Sequence, residues 1–205
     1  MPIDLAEWVR PERTALVTQE IQEGVVGALS ALPDLAEAAA RVGLVENVAR
    51  LLRAARSAGV TVVHCTAERR PDGLGANRNA RLFQYMAKSE RPLLAGSEAA
   101  QLHPGIGAQP EDLILARLHG LSPFHGTELD WLLRNEGITT IVGVGVSVNV
   151  AIQNFTFDAV NSGYQMVIPK DAVAGFPADY VEAVFAHTLG AVATLTTTEA
   201  LLAAW

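Results

Sequence analysis

The sequence predicts a three-layer α/β/α domain built on a mostly parallel, six-stranded sheet. Three observations carry this. Short β-like runs alternate with amphipathic stretches along the chain, and that alternation implies right-handed crossovers with helices on both faces of a sheet. The run Ile138–Gly145 (ITTIVGVG) is continuous and β-branched, the pattern of a strand buried on both sides. Finally, 205 residues, half of them apolar, with neither an internal repeat nor a low-complexity linker, fit one domain over residues 1–205.

Thr14–Gln19 (TALVTQ) is the first expected strand. Asp34–Ala58 is rich in Ala, Leu, Arg and Glu and reads as helical. Its Leu44, Val48, Leu51, Leu52 and Ala55 recur at helical spacing, and Ala58-Gly59 stops it. Val60–Cys65 is the second strand. Arg69–Ala80 (RRPDGLGANRNA) is polar and rich in turn residues, hence a loop. Asp112–Ala116 is the third strand, and Thr127–Asn135 is a helix closed by Glu136-Gly137. After the fourth strand, Ile138–Gly145, Val148–Asn161 is a helix ended by Ser162-Gly163. Tyr164–Ile168 is the fifth strand, Ala178–Leu189 a helix, Ala191–Leu195 the sixth strand and Thr198–Ala204 a last helical turn or two. In such sheets ligands sit at the carboxyl ends of the strands. The segments to watch are therefore 19–22, 65–70, 116–124, 144–151 and 169–175.

Composition narrows the function classes. Fifteen Lys and Arg against 22 Asp and Glu give a net charge of −7, without a basic run. That is not the electrostatic footprint of a nucleic-acid or membrane-surface binder. Charged residues make up 18% of the chain, below the ~25% of an average soluble protein. Together with Trp8, Trp131 and Trp205 this points to a face covered by another subunit, so a homo-oligomer, a dimer or higher, is expected. One cysteine, Cys65, excludes an intramolecular disulfide framework and a multi-cysteine zinc site, and suits the reducing cytoplasm. No run approaches the ~18 apolar residues of a membrane span, and MPIDLAEWVRPER lacks the apolar core of a signal peptide. Five scattered histidines without a His-x-His or Asp-x-His pattern argue against a metal site, and no cofactor is expected.

At the strand ends the chain resembles the isochorismatase-like hydrolase superfamily, a Rossmann-like fold. TALVTQEIQ (14–22) resembles its opening strand, which ends in Asp-Met-Gln. RLHGLSPFHGTEL (117–129) resembles its lysine-containing loop running into Phe-x-Gly-Thr-x-Leu. GVGVSVNVA (143–151) with Asp158-Ala159 resembles the strand-turn-helix that carries its nucleophilic cysteine, and VATLTTTE (192–199) its closing strand. The resemblance implies an aspartate that takes the thiol proton, a lysine that stabilises charge and a cysteine that attacks an amide-like carbon. Glu20 stands at the aspartate position and Ala151 at the cysteine position. The lysine position falls on Leu118, or on Arg117 with a one-residue shift.

A methyl group at 151 forms no thioester, so cysteine-dependent amide hydrolysis is not expected. Vinyl-ether hydrolases of this superfamily can work without the cysteine, through a carboxylic acid. The resemblance thus implies a small-molecule pocket in which Glu20, protonated because it is buried and lacks a neighbouring cation, leads acid-assisted hydrolysis of an isochorismate-type substrate. Arg117, Leu118, His119, Phe124, Ser147 and Ala151 line that pocket, and Asn149 belongs to the same substrate-binding turn. By the same resemblance the Val146–Ser147 peptide is cis, and the amides of Ser147 and Ala151 act as oxyanion donors. The alternative is a catalytically silent member acting as a ligand-binding or oligomeric scaffold protein.

Overall fold

The computed structural model describes residues 4–205. Met1–Ile3, where the leaderless reading of the N-terminus begins, lie outside the described residues. The strands are β1 (Thr14–Gln19), β2 (Thr61–Ala67), β3 (Leu113–Arg117), β4 (Thr140–Val146), β5 (Gln165–Pro169), β6 (Val173–Ala174) and β7 (Thr194–Thr196). They form one sheet in the order β3-β2-β1-β4-β5-β7, with β6 paired to β4, and every pairing is parallel. The sheet has seven strands instead of the expected six. The addition, β6, is two residues long and so leaves no periodicity to read.

The helices are α1 (Leu5–Trp8), α2 (Glu23–Val26), α3 (Pro33–Arg41), α4 (Leu44–Ala58), α5 (Arg81–Met86), α6 (Leu129–Asn135), α7 (Ala151–Asn161), α8 (Ala178–His187) and α9 (Thr198–Ala204). The expected single helical stretch 34–58 is two helices. Gly43 breaks it by adopting φ +65°, a conformation that costs most residues and costs glycine nothing. No helix among the described residues is long and apolar enough to cross a membrane.

Alternation along the strands creates two cores, one per face. Leu16, Val62, Val142 and Val144 point toward α4 and α9, against Leu44, Val48, Leu51, Leu52 and Leu201. Ala15, Val17, Val63 and Ile141 point the other way, against Leu129, Leu133, Ile152 and Phe155 of α6 and α7. Each large side chain so buried contributes about 1.5–3 kcal/mol. One polar chain crosses the first core. His64, fully buried, shares hydrogen bonds with Thr18 Oγ1 (2.8 Å) and Asp112 Oδ2 (3.1 Å), and Arg56 of α4 holds both Asp112 oxygens at 3.0 and 2.6 Å. Burial lowers the His64 pKa against the opposing pull of Asp112. Burial pushes the Asp112 carboxyl up, but hydrogen bonds from Arg56, the Gln109 amide and His64 outweigh it and hold it below its ordinary value. An ionised Asp112 accepts from Nε2–H, which leaves Nδ1 to accept from the Thr18 hydroxyl.

Candidate functional site

The strand order reverses between β1 and β4, and there the carboxyl ends leave a crevice. Two backbone features shape it. Gly145 has φ +116°, and a Cβ there would lie 2.1 Å from the Gln19 carbonyl oxygen, so only glycine lets β4 approach β1 this closely. Glu20, the first residue after β1, is the one non-glycine residue with positive φ (54°) among the described residues. Its amide donates to the Cys65 carbonyl at 2.9 Å. Two residues on, the buried Gln22 brackets Ala67 at the end of β2: its Nε2 donates to the Ala67 carbonyl (2.8 Å), and its Oε1 accepts from the Ala67 amide (2.9 Å). The tips of β1 and β2 are thereby held together.

Arg117 is the cation that the structure brings to Glu20. It closes β3, its side chain is only 2% exposed, and its guanidinium forms an ion pair and hydrogen bond with Glu20 Oε1. A second guanidinium nitrogen donates to the Thr66 carbonyl at 3.4 Å, and Nε is buried without a partner among the described residues. The expectation that Glu20 lacks a neighbouring cation is therefore corrected. Leu118, the next residue, contributes an apolar surface to the same cavity.

On the β4 side, the Val146–Ser147 peptide is cis. Ser147 and Ala151 both line the cavity, and neither backbone N–H has an acceptor among the described residues. Ala151 opens α7, so its methyl group stands at the helix N-terminus where amide donors converge. Asn149 also lines the cavity, and its side-chain amide is committed to the turn: its Nδ2 donates to the Phe176 carbonyl and its Oδ1 accepts from the Phe176 amide at 2.9 Å.

These residues face a cavity of about 340 Å³ that brings together Glu20, Arg117, Leu118, His119, Ser147, Asn149 and Ala151. Phe124 is not among the residues that line this cavity. Its ring packs on Phe155 (5.6 Å between centroids) and Tyr164 (5.8 Å), because its place in the chain turns it into the second core. Cys65 also lies outside the cavity, and burial pushes its thiol up to about 12. The Thr18–His64–Asp112 chain has the order of a nucleophile, base and orienter, yet none of the three reaches the cavity.

Sequence reasoning missed the outer wall. Leu82, Phe83 and Met86 of α5 line the cavity together with Leu32, Leu35, Leu93 and Phe176. The one-and-four spacing of 82, 83 and 86 on a helix was the available signal. Residues 70–93 form a closed excursion: at its base the Arg69 amide donates to the Leu93 carbonyl (2.7 Å), and the Ala95 amide to the Arg69 carbonyl (2.9 Å). Asn77 Oδ1 accepts from the Gly120 amide at 2.7 Å and ties the excursion to the loop after β3.

A doubly wound parallel sheet with a carboxylate–arginine pair at its switch point and a helix N-terminus opposite defines an α/β domain with a ligand-sized site at its strand tips. The Isochorismatase domain model matches residues 14–200, and the chain belongs to that family of hydrolases. It is 27% identical over 187 residues to the ureidoacrylate amidohydrolase RutB of Rhizobium rhizogenes, covering 85% of this chain and 75% of that one. It is 30% identical over 135 residues to an Arabidopsis thaliana protein named "Probable inactive nicotinamidase", covering 64% and 67%. Among solved structures it is similar to an isochorismatase family protein from Burkholderia thailandensis, with a TM-score of 0.76 and 26% identity over 94% and 95% of the two chains.

Proposed function

We propose that this chain has given up the covalent chemistry of its amidohydrolase relatives and binds a small molecule non-covalently in the cavity between β1, β3, β4 and α5. One observation carries this reading: the residue at the N-terminus of α7 that faces the cavity is Ala151, a methyl group. No other lining residue makes up the loss. The Ser147 hydroxyl has no histidine in hydrogen-bond contact, and Cys65 is sealed away with its thiol protonated. A nucleophile without a base within reach stays weak.

A second reading is favoured by one feature, the backbone of Glu20. A left-handed conformation in a non-glycine residue costs of order 1 kcal/mol, and such strain concentrates at functional positions. It presents the carboxyl group to the cavity as an acid for a vinyl-ether substrate, although Arg117 already holds one of its oxygens.

The test is a substrate panel of amides, aryl esters and vinyl ethers, run with the wild-type protein and with Glu20→Gln. The first reading expects no turnover above buffer in either. Vinyl-ether turnover that falls by about 10²-fold or more in Glu20→Gln selects the second. Amide or ester turnover by the wild type overturns both.

A further inference from the structure

The geometry points to the class of ligand: a monocarboxylate with an apolar body that packs against α5. This deepens the non-covalent reading above and rests on it.

The wall chemistry supplies the apolar half. Val25, Leu32, Leu35, Leu93 and Phe176 converge on one cavity from three separate stretches of chain, and α5 adds Leu82, Phe83 and Met86. Yet α5 has no buried residue, and Leu82 remains 39% exposed. An amphipathic turn that offers its apolar residues to an open cavity gains burial only when an apolar body fills the space.

Charge supplies the other half. The chain carries −7 overall, yet the cavity is lined by three arginines against two glutamates. Glu20 is answered by Arg117. Of the remaining three, Arg69 and Arg78 have no carboxylate partner among the described residues, and Glu68 is the single opposing charge. The excess is one positive charge, which suits a monoanion. At the inner end the amides of Ser147 and Ala151, without an acceptor among the described residues, are open to an oxygen acceptor, and Leu118 adds a further apolar side chain to the lining.

Titration calorimetry on the intact protein tests this with acetate, butyrate and hexanoate, with succinate as a polar-bodied control and hexanamide as a neutral one. Affinity should rise about three- to fourfold per added methylene between butyrate and hexanoate. Succinate and hexanamide should each bind at least tenfold more weakly than hexanoate. Leu82→Gln sits on an exposed helix and keeps the fold, checked by circular dichroism. It should remove most of the chain-length dependence and leave acetate unchanged. A flat series, equal binding of hexanamide, or an undiminished slope in Leu82→Gln overturns the inference while the turnover panel still stands or falls by itself. Conversely, amide turnover in that panel overturns the non-covalent reading without altering the carboxylate series.

Discussion

The Arg117–Glu20 pair governs what single substitutions can do. Installing a thiol by Ala151→Cys supplies a nucleophile, but the carboxylate that would take its proton is already engaged by a guanidinium, and it stands one methylene further out than the aspartate of the family pattern. A base misplaced by ~1 Å costs on the order of 10² in rate. Ala151→Cys is therefore expected to show no turnover above wild type on nicotinamide, carbamoyl amides or aryl esters. A tenfold rise on any of them, measured by product release, would show a site complete except for its sulfur. Glu20→Gln acts mainly on stability. It removes the countercharge from an arginine side chain that is 2% exposed, and a buried charge left alone is costly. Because the Glu20 side chain is itself 20% exposed, and because glutamine keeps an acceptor, a loss of about 2 kcal/mol is expected in urea unfolding. An unchanged midpoint would mean that the pair contributes nothing net. Motif counting put the lysine position on Leu118, with Arg117 one residue away, because it cannot fix the parity of a strand end; the structure brings Arg117, in register with Ala67, to Glu20.

At the scale of elements, the buried Thr18–His64–Asp112–Arg56 chain ties β1, β2, the lead into β3 and α4. It also makes the fold sensitive to acid. Burial lowers the His64 pKa below the ordinary 6.5, so the unfolded chain takes up the proton first. Its contribution to stability is present above about pH 6.5 and is lost as pH falls from there toward the lowered folded value. Asp112 acts at lower pH in the same direction: its folded pKa is depressed below 3.8, so its contribution is present above that value and disappears as pH falls through the folded one. Urea midpoints between pH 7.5 and 5.5 should fall, and His64→Asn should flatten the slope. A wild-type profile without slope would show His64 free to protonate in place. The elements themselves were readable where the pattern was long enough. β1, β2, β4, β5 and α9 lie within two residues of their expected places, because five or more residues of consistent periodicity outvote local noise. The break at Gly43 and the two-residue β6 were not readable, since each is shorter than the window that periodicity needs, and α5, a turn and a half long, offered only the spacing of 82, 83 and 86.

At the scale of the whole molecule, the expected oligomer now has a more specific basis. Trp205 no longer supports it: its indole N–H donates to the Val9 carbonyl at 2.9 Å and straps the C-terminus onto the N-terminal turn. Trp131 does, being 69% exposed. So does β3, an edge strand whose Leu113 and Ile114 are 37% and 56% exposed, an apolar edge without the charges that usually blunt one. We propose a homodimer that covers this edge. Light scattering at micromolar concentration should give twice 21.8 kDa, and Ile114→Lys should return it to one copy. A single-copy mass for the wild type across dilution would defeat the proposal.

The clamp of Arg69 onto Leu93 and Ala95 also makes the wall it closes replaceable. A segment whose two ends are already joined at its base can change length and composition at little cost to the rest, because closure entropy grows only slowly with length. Residues 70–93 are thus a part of the cavity wall whose length and composition can be changed, by design or by insertion, with little disturbance of the sheet that carries the strand tips.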